Sequence, residues 1–344
     1  MNNDTNISKR KVDHIEINLN EEVSSSISSG FDSYRFVHQA LPEINLGEVD
    51  LSLSLLGKKL LAPIMISSMT GGAEKAAYYN ELFARAAQEY GLALGLGSQR
   101  AAIENPALTS TFEVRKYASD ALIFANLGAV QLNRGYGVKE CQQAVDMAGA
   151  DALILHLNPL QEALQLEGDT QFSGLLKKIE MVCSQLPVPV IVKEVGWGIN
   201  QDVARKLLEA GVTVIDVAGA GGTSWSQVEM YRQVDPERAV LASKFRDWGI
   251  PTVDCLKQIH DTLPNALIFA SGGIQDGIDL AKSLALGATM GGMAGPFLRA
   301  AENGYEGLSK KIRLTKEELT LCMFACGKKN LTEFDSSVLV SAKN

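Results

Sequence analysis

The segment Leu155-His156-Leu157-Asn158-Pro159-Leu160-Gln161-Glu162 gathers four polar side chains at the end of an apolar run. Strand alternation sends His156 and Asn158 to one side, and Pro159 stops the strand before Gln161 and Glu162. Alone, the histidine reads as a hydrogen-bonded core residue and the glutamate as a helix N-terminal charge. Together on one loop they read as a site. A lone carboxylate beside substrate phosphates is the usual way a protein holds magnesium, which keeps most of its waters.

Other runs end in residues of similar promise. Val190-Ile191-Val192 leads into Lys193-Glu194, and an ammonium buried there without a partner would be costly. It is a Schiff-base nucleophile, a cation facing the electron-rich edge of a reduced flavin, or half of a structural ion pair with Glu194 or Asp216. In Gly97-Ser98-Gln99-Arg100 the guanidinium suits phosphate oxygens or a surface salt bridge. Ser98 and Asn126 are placed as caps or as ligands. Ser67-Ser68-Met69-Thr70-Gly71-Gly72 is small enough for a flat ring to approach its backbone, and is otherwise a plain turn. Gly219-Ala220-Gly221-Gly222-Thr223 offers a nest of N–H groups. Ser271-Gly272-Gly273-Ile274 and Gly292-Met293-Ala294-Gly295 complete the outline of a phosphate cradle.

The elements that must position these residues repeat one theme. Eight β-rich runs alternate with amphipathic segments: Pro63 to Ser67, Leu92 to Gly95, Ala121 to Asn126, Ala152 to Leu157, Val188 to Lys193, Val212 to Val217, Ala266 to Ser271 and Thr289 to Met293. Strands alternating with helices make a parallel sheet, and eight units close it, so the expected fold is α/β, a (β/α)8 TIM barrel with an N-terminal extension. An open doubly wound sheet would announce its phosphate site in the first unit, whereas the glycines here come late. Residues 1–60 form an arm, expected to be partly loop on account of Ser24-Ser25-Ser26 and the basic Lys9-Arg10-Lys11. Residues 61–344 form the barrel, with a closing helix expected over Leu314 to Gly327.

Composition narrows the function. A formal charge of −8 without a dense basic face argues against nucleic acid. No apolar run reaches the roughly 20 residues of a membrane span and the first residues are polar, so a cytoplasmic protein is expected. The five cysteines are scattered and read as reduced thiols. Cys322 and Cys326, at helical spacing, lack the further ligands of a zinc set and read as part of a packed helix.

The segments Arg10-Lys11-Val12-Asp13-His14, Ser68-Met69-Thr70-Gly71-Gly72, Gly97-Ser98-Gln99-Arg100, His156 to Glu162 and Gly221-Gly222-Thr223-Ser224-Trp225 together resemble the type 2 isopentenyl diphosphate isomerase family. The resemblance covers nearly the whole chain. Its specific parts are the His-Leu-Asn-Pro-x-Gln-Glu string and the basic N-terminal motif; Ser-Gly-Gly-Ile and the late glycines are common to many FMN-binding barrels. It implies interconversion of isopentenyl and dimethylallyl diphosphate with reduced FMN as acid and base, with Mg2+, and with NADPH as flavin reductant.

The resemblance also implies roles. Ser68, Met69, Thr70, Ser98, Asn126, Lys193 and Thr223 would line the flavin, with Gly272, Gly273, Ala294 and Gly295 at its phosphate. Arg10, Lys11, His14, Ser98, Arg100, His156, Asn158 and Gln161 would bind the substrate, Glu162 the magnesium. Gln161 and Lys193 would be the catalytic residues. The basic arm would be a diphosphate clamp that orders when substrate arrives. Glu229 reads equally as a helix-surface charge or an aid to proton transfer and stays outside the core assignment, and Trp197 and Trp225 have no assigned contacts. A homotetramer or homo-octamer is expected. The rival is an FMN-dependent hydroxy-acid oxidase or dehydrogenase, which wants a histidine base beside a carboxylate-gripping arginine.

Overall fold

The structure, a computed structural model, describes residues 2–69 and 74–342. Thr70 lies outside the described residues. Eight strands form the centre: β1 (Ile64–Ile66), β2 (Ala93–Gly95), β3 (Leu122–Gly128), β4 (Ala152–His156), β5 (Val190–Lys193), β6 (Val214–Asp216), β7 (Leu267–Ala270) and β8 (Met290–Met293). They close into one parallel barrel in sequential order, with β8 returning to β1 through Gly291 opposite Ile64. Seven of the eight expected runs contain one of these strands, and the third, Ala121 to Asn126, is overrun by β3, which continues to Gly128.

Alternation along each strand decides what faces inward. Met65, Ala93, Phe124, Ile154, Ile191, Val214, Phe269 and Met290 form one buried cluster inside the barrel, with the Phe124 and Phe269 rings stacked 6.0 Å apart. Their neighbours Ile66, Leu94, Ile123, Leu155, Val192, Ile215 and Ile268 join the second cluster, which packs the surrounding helices. A hairpin of Leu53–Leu55 and Lys58–Leu60 brings Leu55 and Leu60 against the inner cluster and closes the floor.

Two residues beyond each inner position, the same face of the strand reaches the open mouth. That rule places Ser67, Asn126, His156, Lys193, Asp216 and Ser271 in one layer above the apolar core. On β8 the equivalent position is Gly292, where Ser67 already fills the space: a Cβ there would meet Ser67 Oγ at 2.4 Å.

The arm, expected to be partly loop, begins with a helix, Asn2–Asn20, that was not expected from the sequence, before a non-helical stretch that crosses the mouth. Lys11, His14, Ile15 and Asn18, at i, i+3, i+4 and i+7, all face the cavity at the barrel mouth. The helix has a mostly polar inner face because it covers a polar cavity, so no apolar stripe announces it. Hydrogen bonds from Ser25 N to Gly222 O (2.8 Å) and Ser224 N to Val23 O (2.7 Å) fasten the following segment over the mouth. Farther on, Tyr34–Phe36 pairs with Leu339–Ser341 and joins the two ends of the chain.

The closing helix is longer than expected, Gly304–Ala325. Its first turns carry glycines that obscure the pattern. Gly307 is there because the preceding helix, Gly295–Ala301, lies so close that a Cβ would meet Ala300 O at 2.4 Å.

Candidate active site

A cavity of about 500 Å³ opens at the carboxyl ends of the strands, under the arm helix. Such a volume is in the range of small-molecule and cofactor sites. Every site residue named from the sequence and lying among the described residues lines it, from Arg10, Lys11 and His14 on the arm to Ala294 and Gly295 after β8.

The upper part of the cavity is strongly cationic. Arg10, Lys11 and Arg100 meet there, and Lys11 Nζ donates to Ser98 O at 2.8 Å. Burial, followed by the charges of Arg10 and Arg100, pulls the Lys11 ammonium down to about 7. Arg10 is lowered chiefly by burial, with Arg232 and Arg100 adding to it. Glu162 offsets the Arg10 shift only in part, and among the described residues neither Arg10 nor Lys11 has an ion-pair partner; a negative ligand would reverse both shifts. Arg100 is anchored rather than mobile: Nε bonds Glu104 at 2.7 Å and Nη1 bonds Asp169 at 3.1 Å.

His156 sits below them at the end of β4. Its Nδ1 is 2.8 Å from Asn126 Oδ1, a contact made when the imidazole is protonated at Nδ1. Burial, then Lys193, Lys11 and Arg10, lower it to about 3, so in the free protein this ring is neutral.

The loop after β4 is a single hydrogen-bonded unit. Pro159 starts the short helix Pro159–Leu164, which turns Gln161 and Glu162 back toward the strand end. Asn158 Nδ2 donates to Gln161 Oε1 (3.1 Å) and Glu162 Oε1 (2.9 Å). Gln161 Nε2 in turn donates to Glu229 Oε1 at 3.0 Å. The second Glu162 oxygen accepts from Gln165 and from the Asp169 N–H (2.6 Å). Glu162 is the carboxylate on the cavity wall among the described residues, where no group of three or more His, Cys, Asp or Glu side chains suited to a metal occurs. This donor set fits a cation shared with a ligand's phosphates and not one held by protein alone.

Glu229, left open from the sequence, is fully buried behind Gln161. Arg232 Nη1 bonds its Oε2 at 2.6 Å, and His14 Nε2 lies 3.2 Å from Oε1, within ion-pair range but off the hydrogen-bond direction. Burial alone would raise this carboxyl. Contact with His14, the charges of His14 and Arg232 and the Gln161 bond hold it at about 2. The surface-charge reading is thereby corrected. The His14 ring also stands edge-on to Trp225 at 5.0 Å, which brings that tryptophan to the cavity wall.

On the floor, Lys193 Nζ donates to the main-chain Glu194 O at 2.5 Å. An ion pair with the Glu194 side chain is not how it is held. The Glu194 carboxylate instead accepts N–H bonds from Val195, Gly196, Trp197 and Gly198 at 2.6–3.3 Å. Asp216 Oδ1 accepts from Ser271 Oγ at 2.6 Å, leaving Oδ2 buried and unpartnered, as is Ser68 Oγ. Unpaired buried polar atoms are rare unless a ligand completes them.

The far end supplies the phosphate cradle. Gly272 has φ +96°, and a Cβ on it would meet Gly219 O at 2.1 Å, so this turn admits glycine alone. Gly273, Ala294 and Gly295 follow around the rim with Arg299. Arg299 was missed from the sequence, although its place one helical turn after Gly295 was the available signal. Gln131 on the cavity wall carried no such signal.

A parallel barrel with a cavity at the carboxyl ends of its strands, a lysine at the end of β5 and a glycine cradle at the last strands defines the class of FMN-binding barrel flavoproteins. In keeping with this, residues 130–341 match the FMN-dependent dehydrogenase family model. Among solved structures, a flavocytochrome b2 variant aligns with TM-score 0.69 at 18% identity, over 96% of this chain and 83% of its own. An (S)-mandelate dehydrogenase variant aligns with TM-score 0.70 at 17% identity, over 98% of each chain. These likenesses establish the fold. The isopentenyl-diphosphate delta-isomerase of Nostoc sp. is 50% identical over 95% of this chain and 94% of its own. That of Synechocystis sp. is 53% identical over 94% and 93%, and that of Rickettsia bellii is 49% identical over 96% and 97%. The chain belongs to the isopentenyl-diphosphate delta-isomerase family, type 2.

Proposed function

We propose that the cavity interconverts isopentenyl diphosphate and dimethylallyl diphosphate for isoprenoid biosynthesis, with the residues in the following roles. The observation that carries the substrate half of this reading is the meeting of Arg10, Lys11 and Arg100 at the mouth, where Arg10 and Lys11 have no ion-pair partner among the described residues. With His14, Ser98, His156 and Asn158 these side chains hold the diphosphate. Glu162 holds Mg2+ against it. The arm, residues 1–60, is thus part of the substrate site, and residues 61–344 form the barrel.

The residues on the floor and far rim suit FMN. Gly272, Gly273, Ala294 and Gly295 take its phosphate. Ser68, Met69, Thr70, Ser98, Asn126, Lys193 and Thr223 line the ring and ribityl chain. Reduced FMN, when bound, supplies an electron-rich ring that stabilises positive charge and exchanges a proton; NADPH is the reductant that brings it to this state. Lys193, held by the Glu194 carbonyl, places an ammonium on the floor, where it favours an anionic ring.

Moving a double bond requires a proton added at one carbon and another removed, through a cationic or near-cationic species. Gln161 lies beside the reacting carbons, its amide fixed at both ends by Asn158 and Glu229. Glu229 stays ionised, so the amide is polarised with its carbonyl toward the cavity residues and its NH2 toward the buried charge. Binding of the diphosphate at the mouth anchors the alkene over the floor and converts binding energy into orientation. The arm and Trp225 cover the mouth and limit water.

The protein assembles as a homotetramer or homo-octamer, for which exposed Val234, Val240 and Trp248 between β6 and β7 offer apolar surface. Light scattering after size exclusion tests this. The activity is tested by anaerobic incubation with isopentenyl diphosphate, FMN, Mg2+ and NADPH. Dimethylallyl diphosphate formed without stoichiometric NADPH consumption supports the reading. Bound flavin with no such product, and turnover of a 2-hydroxy acid instead, would move the assignment to the oxidase rival.

A further inference from the structure

Asp169 lies outside every role assigned above, yet three barrel loops converge on it. Its Oδ2 accepts from Arg100 Nη1, on the helix after β2, and from Gln131 Nε2, on the turn after β3, both at 3.1 Å. Its Oδ1 pairs with Arg134 Nε at 3.1 Å. Its main-chain N–H donates to Glu162 Oε2 at 2.6 Å, on the helix after β4. The side chain is only 11% exposed, so these bonds are not loose surface contacts.

The backbone is shaped for this. The preceding residue is Gly168, and a Cβ there would stand 1.7 Å from Glu162 O. Only a residue without a side chain lets the loop pass close enough to bring the Asp169 N–H onto the Glu162 carboxylate. A plain surface turn would need no such approach.

We propose that Asp169 is a positioning residue for the substrate diphosphate: it locks the Arg100 guanidinium in the cavity wall and, through its N–H, orients the Glu162 carboxylate beside it. The inference rests on the reading of Arg100 as a diphosphate ligand and Glu162 as the magnesium ligand. Arg100 has five donors in a fixed fork; Glu104 holds Nε and Asp169 holds Nη1, which leaves the remaining edge directed by the protein and not by solvent. Pre-ordering of this kind lowers the conformational cost of binding without touching the reacting carbons. Its signature is a change in KM and in diphosphate affinity, with kcat preserved. Asp169 is also an anion that competes with the diphosphate for Arg100, so charge alone would make Asp169→Asn bind the diphosphate more tightly, the reverse of what positioning requires.

The test uses the FMN-loaded full-length protein and its Asp169→Asn, Arg100→Ala and double variants. Inorganic diphosphate binding is followed by titration calorimetry with and without Mg2+, alongside KM and kcat for isopentenyl diphosphate. Bound FMN absorbance and the melting temperature report folding. Asp169→Asn is expected to weaken diphosphate binding and raise KM by about fivefold or more, with kcat within about twofold. In the Arg100→Ala background the same change is expected to have little further effect, because the two residues act through one contact. Unchanged or tighter binding in Asp169→Asn, while Arg100→Ala weakens it, would overturn the positioning role and leave the diphosphate site standing. Unchanged binding in Arg100→Ala would overturn the diphosphate site itself, and this inference with it. A lowered melting temperature with KM unchanged would mark Asp169 as structural only, which also overturns the proposal.

Discussion

Lys11 ties the protonation state of the free protein most directly to its substrate. Burial and the neighbouring Arg10 and Arg100 hold its ammonium at about 7 against an ordinary 10.5. At pH 7 it is then about half charged, and at pH 8 roughly one-tenth charged. A diphosphate beside it favours the charged form and drives the value back up, so binding takes up about half a proton at pH 7. From about pH 7 to the bound-state value, affinity for the diphosphate falls roughly tenfold per unit, or about 1.4 kcal/mol. The substrate's own terminal phosphate ionises near roughly 6, below this window. Two measurements check the reasoning: kcat/KM for isopentenyl diphosphate, which reports free-enzyme groups, across pH 6.5–9, and calorimetry of inorganic diphosphate in two buffers of different ionisation enthalpy. A descending limb with a midpoint near 7, abolished in Lys11→Arg because a guanidinium stays charged, is the expected result. A flat profile, or no proton uptake at pH 7, refutes the argument. The stability of the ligand-free chain moves the other way. Below about 7 folded and unfolded chains both hold this proton and the cost of burying the charge is paid in full; as pH rises from 7 toward 10.5 the folded chain sheds it first, and stability increases.

Further outcomes can be stated. Arg10→Ala is expected to raise the KM for isopentenyl diphosphate about tenfold or more, and an unchanged KM in steady-state assays counts against the arm as a clamp. Glu229→Gln breaks the buried pair with Arg232 and should cost roughly 3–5 kcal/mol in urea unfolding, while kcat falls as the Gln161 amide loses the charge that anchors it. In the native chain the Glu229 carboxyl sits at about 2 against an ordinary 4.5, so its contribution is complete above about 4.5 and is lost as pH falls toward 2. Acid unfolding of Glu229→Gln should lack that part of the transition. Gly272→Ala forces a side chain into a left-handed turn against Gly219 O, and fluorescence titration should show FMN binding weakened by more than about tenfold.

Much of this molecule was legible in the residues alone. The eight strands were, because burial on both faces makes each a short continuous apolar run and turns separate them. Their ends were legible for the same local reason: two residues past an inner apolar position, the same face meets the mouth, so Asn126, His156 and Lys193 could be placed by counting. The string from His156 to Glu162 carried its own geometry, since Pro159 starts a helix that folds Gln161 and Glu162 back.

What the tertiary structure decided was whatever depends on the company a residue keeps. The arm forms a helix with no apolar stripe to announce it, because the surface it covers is the polar cavity of Lys11, His14 and Asn18. Glu229 looks like any helix glutamate until His14, 215 residues earlier, and Gln161 are brought against it and seal it from water. Asp169 likewise became a junction only when the loops after β2, β3 and β4 met. Period and turn chemistry are properties of neighbours along the chain and can be read there. Burial of a charge, and hence its pKa and its role, is set by groups that only the closed barrel brings together.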